Sequence, residues 1–229
     1  MFEQACMANR DAIYGLLASS PINPHGVTAS NGTAFMVAAG YLVTAAHCVH
    51  QDTDHRRPVH SKFELIRTPD IGQRMEIASL HAIDDKQDVA ILRIAAPRST
   101  STLKLLDRVV ERGAAVGSLG FPLSQVTASN QRLAFNAVER FQSASISTFV
   151  SATQPDGSSY MHYETDSLMY GGSSGCPGFL PTSEVWGMHN RSAIEAGAQG
   201  NQSTRLAISL WVPSITIVAF CRAHGVATS

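Results

Sequence analysis

Short apolar runs separated by glycine, proline, asparagine, aspartate and serine fill most of this 229-residue chain. Runs of this length between turn-forming residues are typical of β-strands. The pattern predicts strands over residues 13–18, 33–38, 41–45, 62–67, 74–83, 89–95, 114–120, 133–149, 160–165, 178–180, 184–189 and 204–209. A tight hairpin is predicted at Ala39-Gly40, between two of these strands. The chain is therefore predicted to be all-β.

Helical patterns occur only at the two ends of the chain. Residues 2–12 predict a short amphipathic helix, and the apolar residues after Pro213 predict a second helix that runs through Phe220. Proline is favoured at the first helical position and glycine just beyond the last, where Gly225 follows. A polar, proline-bearing stretch at residues 96–102 has the composition of a linker.

This linker divides the predicted strands into two equal groups. Two six-stranded antiparallel barrels accommodate the strand count. We therefore expect one barrel domain over residues 1–100 and a second over residues 101–229, with the C-terminal helix docked behind it. A chain of this length is long enough to bury a sizeable core.

The charge balance excludes several classes of partner. The formal net charge is −1, and no basic stripe or block of like charge indicates binding to nucleic acid. No apolar run approaches the length of a membrane span. Glu3, Arg10 and Asp11 lie where a signal peptide would be basic and then apolar. We expect a cytoplasmic protein, or a mature form whose export segment has been left out.

The four cysteines are Cys6, Cys48, Cys176 and Cys221. They are widely scattered and match no metal-binding or redox spacing. We predict four free thiols, most of them buried, as is usual in a reducing compartment.

The candidate chemistry centres on the glycine-rich segment at residues 171–178, with Ser174 in its middle. Flanking glycines suit a tight turn that exposes a hydroxyl to a substrate. A serine needs a neighbouring base to become a nucleophile, and His47 follows an apolar run upstream. Asp88 opens another apolar run and could orient that histidine. Taken singly, each of the three has a commoner explanation: a core histidine, a strand-end cap or a turn serine.

The order His47, Asp88, Ser174, with Thr44-Ala45-Ala46-His47-Cys48 and Asp88-Val89-Ala90-Ile91-Leu92 as local contexts, resembles the trypsin-like serine peptidases of the chymotrypsin fold. The resemblance extends from about residue 12 to residue 220. It implies an endopeptidase that acts through an acyl-enzyme on a protein or peptide substrate. It also implies that the backbone N–H groups of Gly172 and Ser174 form the oxyanion hole.

Three further features resemble the glutamyl endopeptidase and Deg-type branches. Asp166 lies eight residues before Ser174, Gly120-Phe121-Pro122 is similar to a Gly-Tyr-Pro turn, and residues 185–189 are similar to Val-Ile-Gly-Ile-His. The resemblance implies a substrate pocket formed by Leu168, Met169, His189 and Asn190. No acid lies at Leu168 or Met169, so the pocket favours Glu, Gln or an apolar residue such as Leu over Arg or Lys.

Two departures bear on activation and on the alternative functions. Ser173 stands where trypsin has the aspartate that captures a new N-terminus, so that mode of activation is not supported. A catalytically silent peptide-binding module stays an alternative, as does a peptidase that requires an activating partner protein.

Two other chemical interpretations are disfavoured. Ser173 and Cys176 are poor candidates for the nucleophile, because a one-residue slip breaks the glycine pattern and Pro177 matches the family's structural proline. His47, Cys48 and His50, with His55 and His60 beyond, cluster in sequence, but their spacing matches no standard zinc site and indicates a polar loop. We expect no metal and no cofactor.

Overall fold

The computed structural model is built mainly from antiparallel strands, and it describes residues 1–23, 26–129, 132–153, 157–196 and 203–228. The elements in chain order are α1 (Glu3–Asn9), β1 (Ile13–Asn23), β2 (Gly26–Ala38), β3 (Tyr41–Thr44), β4 (Lys62–Ile66), β5 (Glu76–Asp84), β6 (Val89–Arg93), β7 (Ala115–Gly120), β8 (Gln125–Ser129), β9 (Arg132–Asn136), β10 (Arg140–Thr153), β11 (Ser159–Thr165), β12 (Pro177–Phe179), β13 (Val185–Ala196), β14 (Ser203–Pro213) and α2 (Ser214–Ala223). Short 3₁₀ turns cover Arg10–Ala12, Ala46–Cys48 and Thr68–Asp70.

The strands form two closed barrels and one hairpin. The first barrel has the strand order β1-β2-β3-β6-β5-β4, and the second has the order β10-β11-β14-β13-β12-β7. All pairings within both barrels are antiparallel. Strands β8 and β9 pair only with each other. The predicted fold class, two six-stranded antiparallel barrels with a short C-terminal helix, is confirmed.

Inward-facing side chains form the core of each barrel. Along β5, for example, Glu76, Ala78 and Ala82 are buried while Ile77 and His81 are exposed, as expected where one face of a strand is covered. In the second barrel the rings of Trp186 and Trp211 lie 4.9 Å apart, and Tyr163 meets Trp186 edge to face at 5.1 Å. These large side chains give the second barrel a largely aromatic centre.

Several sequence-based boundaries were wrong, and one strand was missed. The single strand predicted over residues 133–149 is divided into β9 and β10, because β9 pairs with β8 in a separate hairpin while β10 belongs to the second barrel. Residues 137–139 between them belong to no strand, and the Arg140 guanidinium donates to the carbonyls of Pro122 and Val138. Strand β8 was missed because its sequence, Gln-Val-Thr-Ala-Ser, has little apolar content. Helix α2 begins at Ser214, since Pro213 has an extended backbone (φ −62°, ψ 146°).

The two ends of the chain each contact the opposite barrel. The Phe2 ring, just before α1, lies 5.5 Å from the Phe141 ring of the second barrel, and the Asn9 amide donates to the carbonyl of Ser183. Beyond α2, the carbonyl of His224 accepts a hydrogen bond from His81 of β5 at 3.1 Å. Among the described residues, no helix is both long enough and apolar enough to cross a bilayer.

Candidate active site

Two of the predicted catalytic residues belong to the first barrel. His47 lies in the 3₁₀ turn that follows β3, and Asp88 immediately precedes β6. Because β3 and β6 pair antiparallel, the end of one strand lies beside the start of the other. The Ala46 N–H donates to the carbonyl of Asp88 at 3.1 Å, which holds the two turns together.

The Asp88 carboxylate binds His47 twice. Its Oδ2 lies 2.7 Å from His47 Nδ1, and its Oδ1 accepts the backbone N–H of His47 at 2.8 Å. Asp88 is only 5% exposed, so both hydrogen bonds lie in a poorly hydrated environment. With Nδ1 donating to the carboxylate, a neutral His47 ring keeps Nε2 as its proton acceptor.

Charge and burial shift the pKa values of His47 and Asp88 in opposite directions. Burial alone lowers the pKa of His47, but the Cys48 side chain and the hydrogen bond to Asp88 outweigh it and hold that pKa well above its usual value. Burial alone raises the pKa of Asp88, but the hydrogen bond from His47 and the nearby His55 ring hold it well below its usual range. Asp88 therefore stays ionised and stabilises an imidazolium at His47.

Ser174 belongs to the second barrel, in the turns between β11 and β12. The carbonyl of Ser174 accepts the backbone N–H of Thr33 at 2.8 Å, and Gly175 N–H donates to the carbonyl of His189 at 2.8 Å. The Ser174 hydroxyl donates a long hydrogen bond of 3.5 Å to the carbonyl of Asn190. No hydrogen bond joins Ser174 to His47 in the part of the chain that the structure describes.

The backbone before Ser174 leaves two donors available. The carbonyl of Gly171 accepts the N–H of Leu123 at 2.7 Å, and the Gly171–Gly172 peptide is trans. The N–H of Gly172 therefore points away from Leu123. Within the described ranges, neither this N–H nor that of Ser174 takes part in a hydrogen bond.

Two glycines in this segment have backbone conformations that other residues rarely adopt. Gly172 has a φ of +92° and Gly175 has a φ of +83°. A Cβ at Gly172 would collide with the carbonyl oxygen of Phe121, and one at Gly175 would collide with the carbonyl oxygen of Thr33. These contacts explain the glycines on both sides of the serine.

His47, Asp88 and Ser174 line one open cleft of about 780 Å³ between the barrels. Of the predicted pocket residues, His189 and Asn190 also line it, whereas Leu168 and Met169 do not. The Met169 side chain is buried in the aromatic core, and its carbonyl accepts the hydroxyl of Ser192 at 3.0 Å. The Leu168 carbonyl accepts the side-chain amide of Gln142 at 3.0 Å.

His189 lies deep in the cleft wall. It is 2% exposed, and its ring meets the Trp211 ring edge to face at 5.1 Å. Two residues further along β13, Arg191 also lines the cleft, with its Nε bound to the Asn190 side chain at 2.9 Å. The specificity role of these residues stays a prediction.

Sequence reasoning missed a group of side chains beside Asp88. His55 Nε2 lies 3.2 Å from Asp88 Oδ1, and His55 Nδ1 lies 3.9 Å from Asp85 Oδ1. His50 stacks on His55 at 4.9 Å and binds Asp85 at 2.9 Å. Attraction to Asp88 raises the pKa of His55 above its usual value. The only sequence signal was the density of histidines after His47, which we interpreted as a polar loop.

Comparison with protein families gives a match to the trypsin-like peptidase domain over residues 32–188, which include all three predicted catalytic residues. The chain belongs to this family. It is accordingly a serine peptidase, a hydrolase, as the sequence motifs predicted. No curated protein matches the chain by sequence.

Solved structures of two bacterial proteases share the fold. The active form of the Rv3671c protease from M. tuberculosis superimposes with a TM-score of 0.68 at 17% identity, over 98% of this chain and 85% of that one. The serine endoprotease from Yersinia pestis superimposes with a TM-score of 0.67 at 17% identity, over 98% of this chain and 66% of that one. Identities this low establish the fold alone, so the glutamyl endopeptidase or Deg-type branch stays a prediction.

Proposed function

We propose that this trypsin-like peptidase is an endopeptidase that cleaves peptide bonds with His47, Asp88 and Ser174 as its catalytic triad. The observation that carries the proposal is the double contact of the Asp88 carboxylate with the ring and the backbone of His47. This contact selects the tautomer in which Nε2 can accept a proton, and it favours the imidazolium that results. Both residues line the same cleft as Ser174.

The proposed reaction begins with a rotation of the Ser174 hydroxyl. This hydroxyl leaves the carbonyl of Asn190, turns toward His47 Nε2 and loses its proton to that nitrogen as Oγ attacks the substrate carbonyl carbon. His47 then gives the proton to the leaving amine as the C–N bond breaks. Water, deprotonated by His47, hydrolyses the acyl-enzyme and releases the serine.

The backbone supplies the proposed oxyanion hole. The developing negative charge on the substrate oxygen needs donors that are already oriented, and the N–H groups of Gly172 and Ser174 have no other partner among the described residues. Loss of one such donor costs about 10²–10³ in kcat in serine peptidases. The Leu123–Gly171 hydrogen bond supports a peptide orientation that is ready for catalysis without a partner protein.

Labelling with a fluorophosphonate probe tests the triad directly. We expect the wild-type protein to be labelled at Ser174, as located by mass spectrometry of the digested adduct. Ser174→Ala and His47→Ala should not be labelled. Ser173→Ala is the matched control, because its buried hydroxyl lies one residue away, and it should keep the label.

The same experiment separates the alternatives. A wild-type protein that is not labelled under any condition would support the silent peptide-binding module. Labelling that appears only after a partner protein is added would support the partner-activated peptidase. Labelling at Ser173 would overturn the assignment of the nucleophile.

A further inference from the structure

The side chains of His47, His55 and Asp88 form a compact set of metal-binding donors. One donor atom from each residue lies within 4.8 Å of the other two. Two imidazole nitrogens and one carboxylate oxygen are the donor types found in three-ligand zinc sites, which leave a fourth position to water. The three side chains all line the cleft that contains Ser174, so an ion can reach them from solvent.

The distances fit zinc with little rearrangement. Zn–N and Zn–O bonds of about 2.0–2.2 Å place neighbouring donors of a tetrahedral site about 3.3 Å apart. His55 Nε2 and Asp88 Oδ1 are separated by 3.2 Å. Their relative orientation does not satisfy hydrogen-bond geometry, and Nε2 is buried without a hydrogen-bond partner. This nitrogen therefore faces a carboxylate oxygen at the separation of two zinc ligands.

A second carboxylate lies on the far side of the His55 ring. Zinc-bound histidines generally donate their other ring N–H to a carboxylate or carbonyl group, which fixes the tautomer and the ring orientation. Asp85 Oδ1 is 3.9 Å from His55 Nδ1 and is itself bound by His50 Nε2 at 2.9 Å. Nδ1 of His55 is thus the ring nitrogen near Asp85, while Nε2 is the ring nitrogen near Asp88, where the metal would bind.

We propose that His47, His55 and Asp88 bind a zinc ion that reversibly inhibits the peptidase. Coordination through His47 Nδ1 replaces its hydrogen bond to Asp88. Coordination through His47 Nε2 occupies the nitrogen that accepts the serine proton. Either arrangement removes the catalytic base. The inhibitory effect rests on the proposed triad, whereas zinc binding does not.

Metal binding is tested on the Ser174→Ala protein, which keeps all three ligands and has no nucleophile. Calorimetric titration with ZnCl₂ should give one zinc ion per chain. The additional change His55→Gln should weaken binding at least about 10-fold, since loss of even a supporting residue costs that much at zinc sites. His81→Gln is the matched control, because His81 lies on β5 outside the cleft, and it should leave binding unchanged.

Inhibition is tested on the active protein with a peptide substrate. Zinc should inhibit the wild type and His81→Gln at the same concentration, and EDTA should restore the rate. The concentration for half-inhibition of His55→Gln, measured against its own zinc-free rate, should rise at least about 10-fold. Equal zinc binding with and without His55, or no stoichiometric binding in Ser174→Ala, would overturn the proposal. If Ser174→Ala binds zinc but the wild type cleaves no peptide, the proposed function is refuted and the zinc site stands.

Discussion

The Thr33 hydroxyl donates a 2.8 Å hydrogen bond to the carbonyl of Gly172, from the first barrel to the backbone beside Ser174. The Thr33 hydroxyl oxygen also accepts the N–H of Phe121 at 3.1 Å. One buried side chain thus connects β2 with two segments of the second barrel. The position of Ser174 relative to His47 in the other barrel depends on such connections.

Thr33→Val should reduce both stability and turnover. Valine keeps the shape of threonine but leaves the Gly172 carbonyl and the Phe121 N–H without a partner. An unsatisfied buried polar group costs about 1–3 kcal/mol, so the free energy of unfolding should fall by at least that amount. Urea unfolding and kcat measure the two effects. Thr28→Val, on the same strand but partly exposed, is the control, and an equal loss in both variants would contradict the role of Thr33.

Gly172→Ala should inactivate the enzyme, because the added Cβ collides with the Phe121 carbonyl and displaces an oxyanion donor. We expect kcat to fall by at least about 10²-fold, as when one donor is lost. Gly113→Ala separates this collision from backbone strain. Gly113 has a φ of +79° and open space where a Cβ would lie. The Gly113→Ala variant should lose some stability and keep its activity. Inactivation of both variants to the same extent would refute the explanation.

Ser174→Ala should abolish turnover without unfolding the protein. The hydroxyl makes one long hydrogen bond of 3.5 Å, so its removal changes the folded state little. Loss of a triad nucleophile lowers kcat by about 10⁴–10⁶. Peptide hydrolysis and thermal melting measure the two quantities. Residual activity close to that of the wild type would exclude Ser174 as the nucleophile.

His189→Leu should change the preference for the residue before the scissile bond. An imidazole N–H in the cleft wall can donate to the side-chain oxygen of a substrate Glu or Gln, which Leu lacks, and such a hydrogen bond contributes about 0.5–3 kcal/mol. The variant should lose about 10-fold or more of its preference for Glu and Gln while cleavage after Leu persists. A peptide-library profile measures this change. The same profile in both proteins would show that His189 only packs against Trp211.

The stability of the protein should be insensitive to reducing agent, because its cysteines form no disulfide. The predicted free state of all four cysteines is confirmed, and Cys48, Cys176 and Cys221 are buried. Burial raises the pKa of Cys221 to about 11 and that of Cys176 still further, so neither forms a reactive thiolate near neutral pH. Thiol titration should detect Cys6 first and all four cysteines only after unfolding. Mass spectrometry that finds a native disulfide would contradict this.

Local sequence was sufficient for features that depend on neighbouring residues. The strands around His47 and Asp88 follow from apolar runs with clear ends, and the glycines beside Ser174 follow from positive φ angles in a tight turn. The break between β9 and β10 was not predictable in this way, because it depends on the separate pairing of β9 with β8, a strand whose own sequence gave no signal.

The histidine group shows the same limit at the candidate site. The zinc motifs that can be recognised in sequence have closely spaced ligands, and His50 or His60 would have been the expected partners of His55. The structure instead brings His55 against Asp88, which immediately precedes β6 and lies 33 residues further along the chain. The pairing of β3 with β6 brings the loop after β3 close to the residue before β6, and no spacing rule contains that contact.

The contacts at the two ends of the chain bear on how the two barrels stay together. Phe2 and Asn9 hold the start of the chain on the second barrel, and His224 holds the end of the chain on the first. To spread the barrels apart, a force must detach both ends as well as the contacts between the barrels. The two ends therefore link the two barrels in opposite directions. Residues far in sequence from the cleft thus resist separation of the barrels under mechanical load.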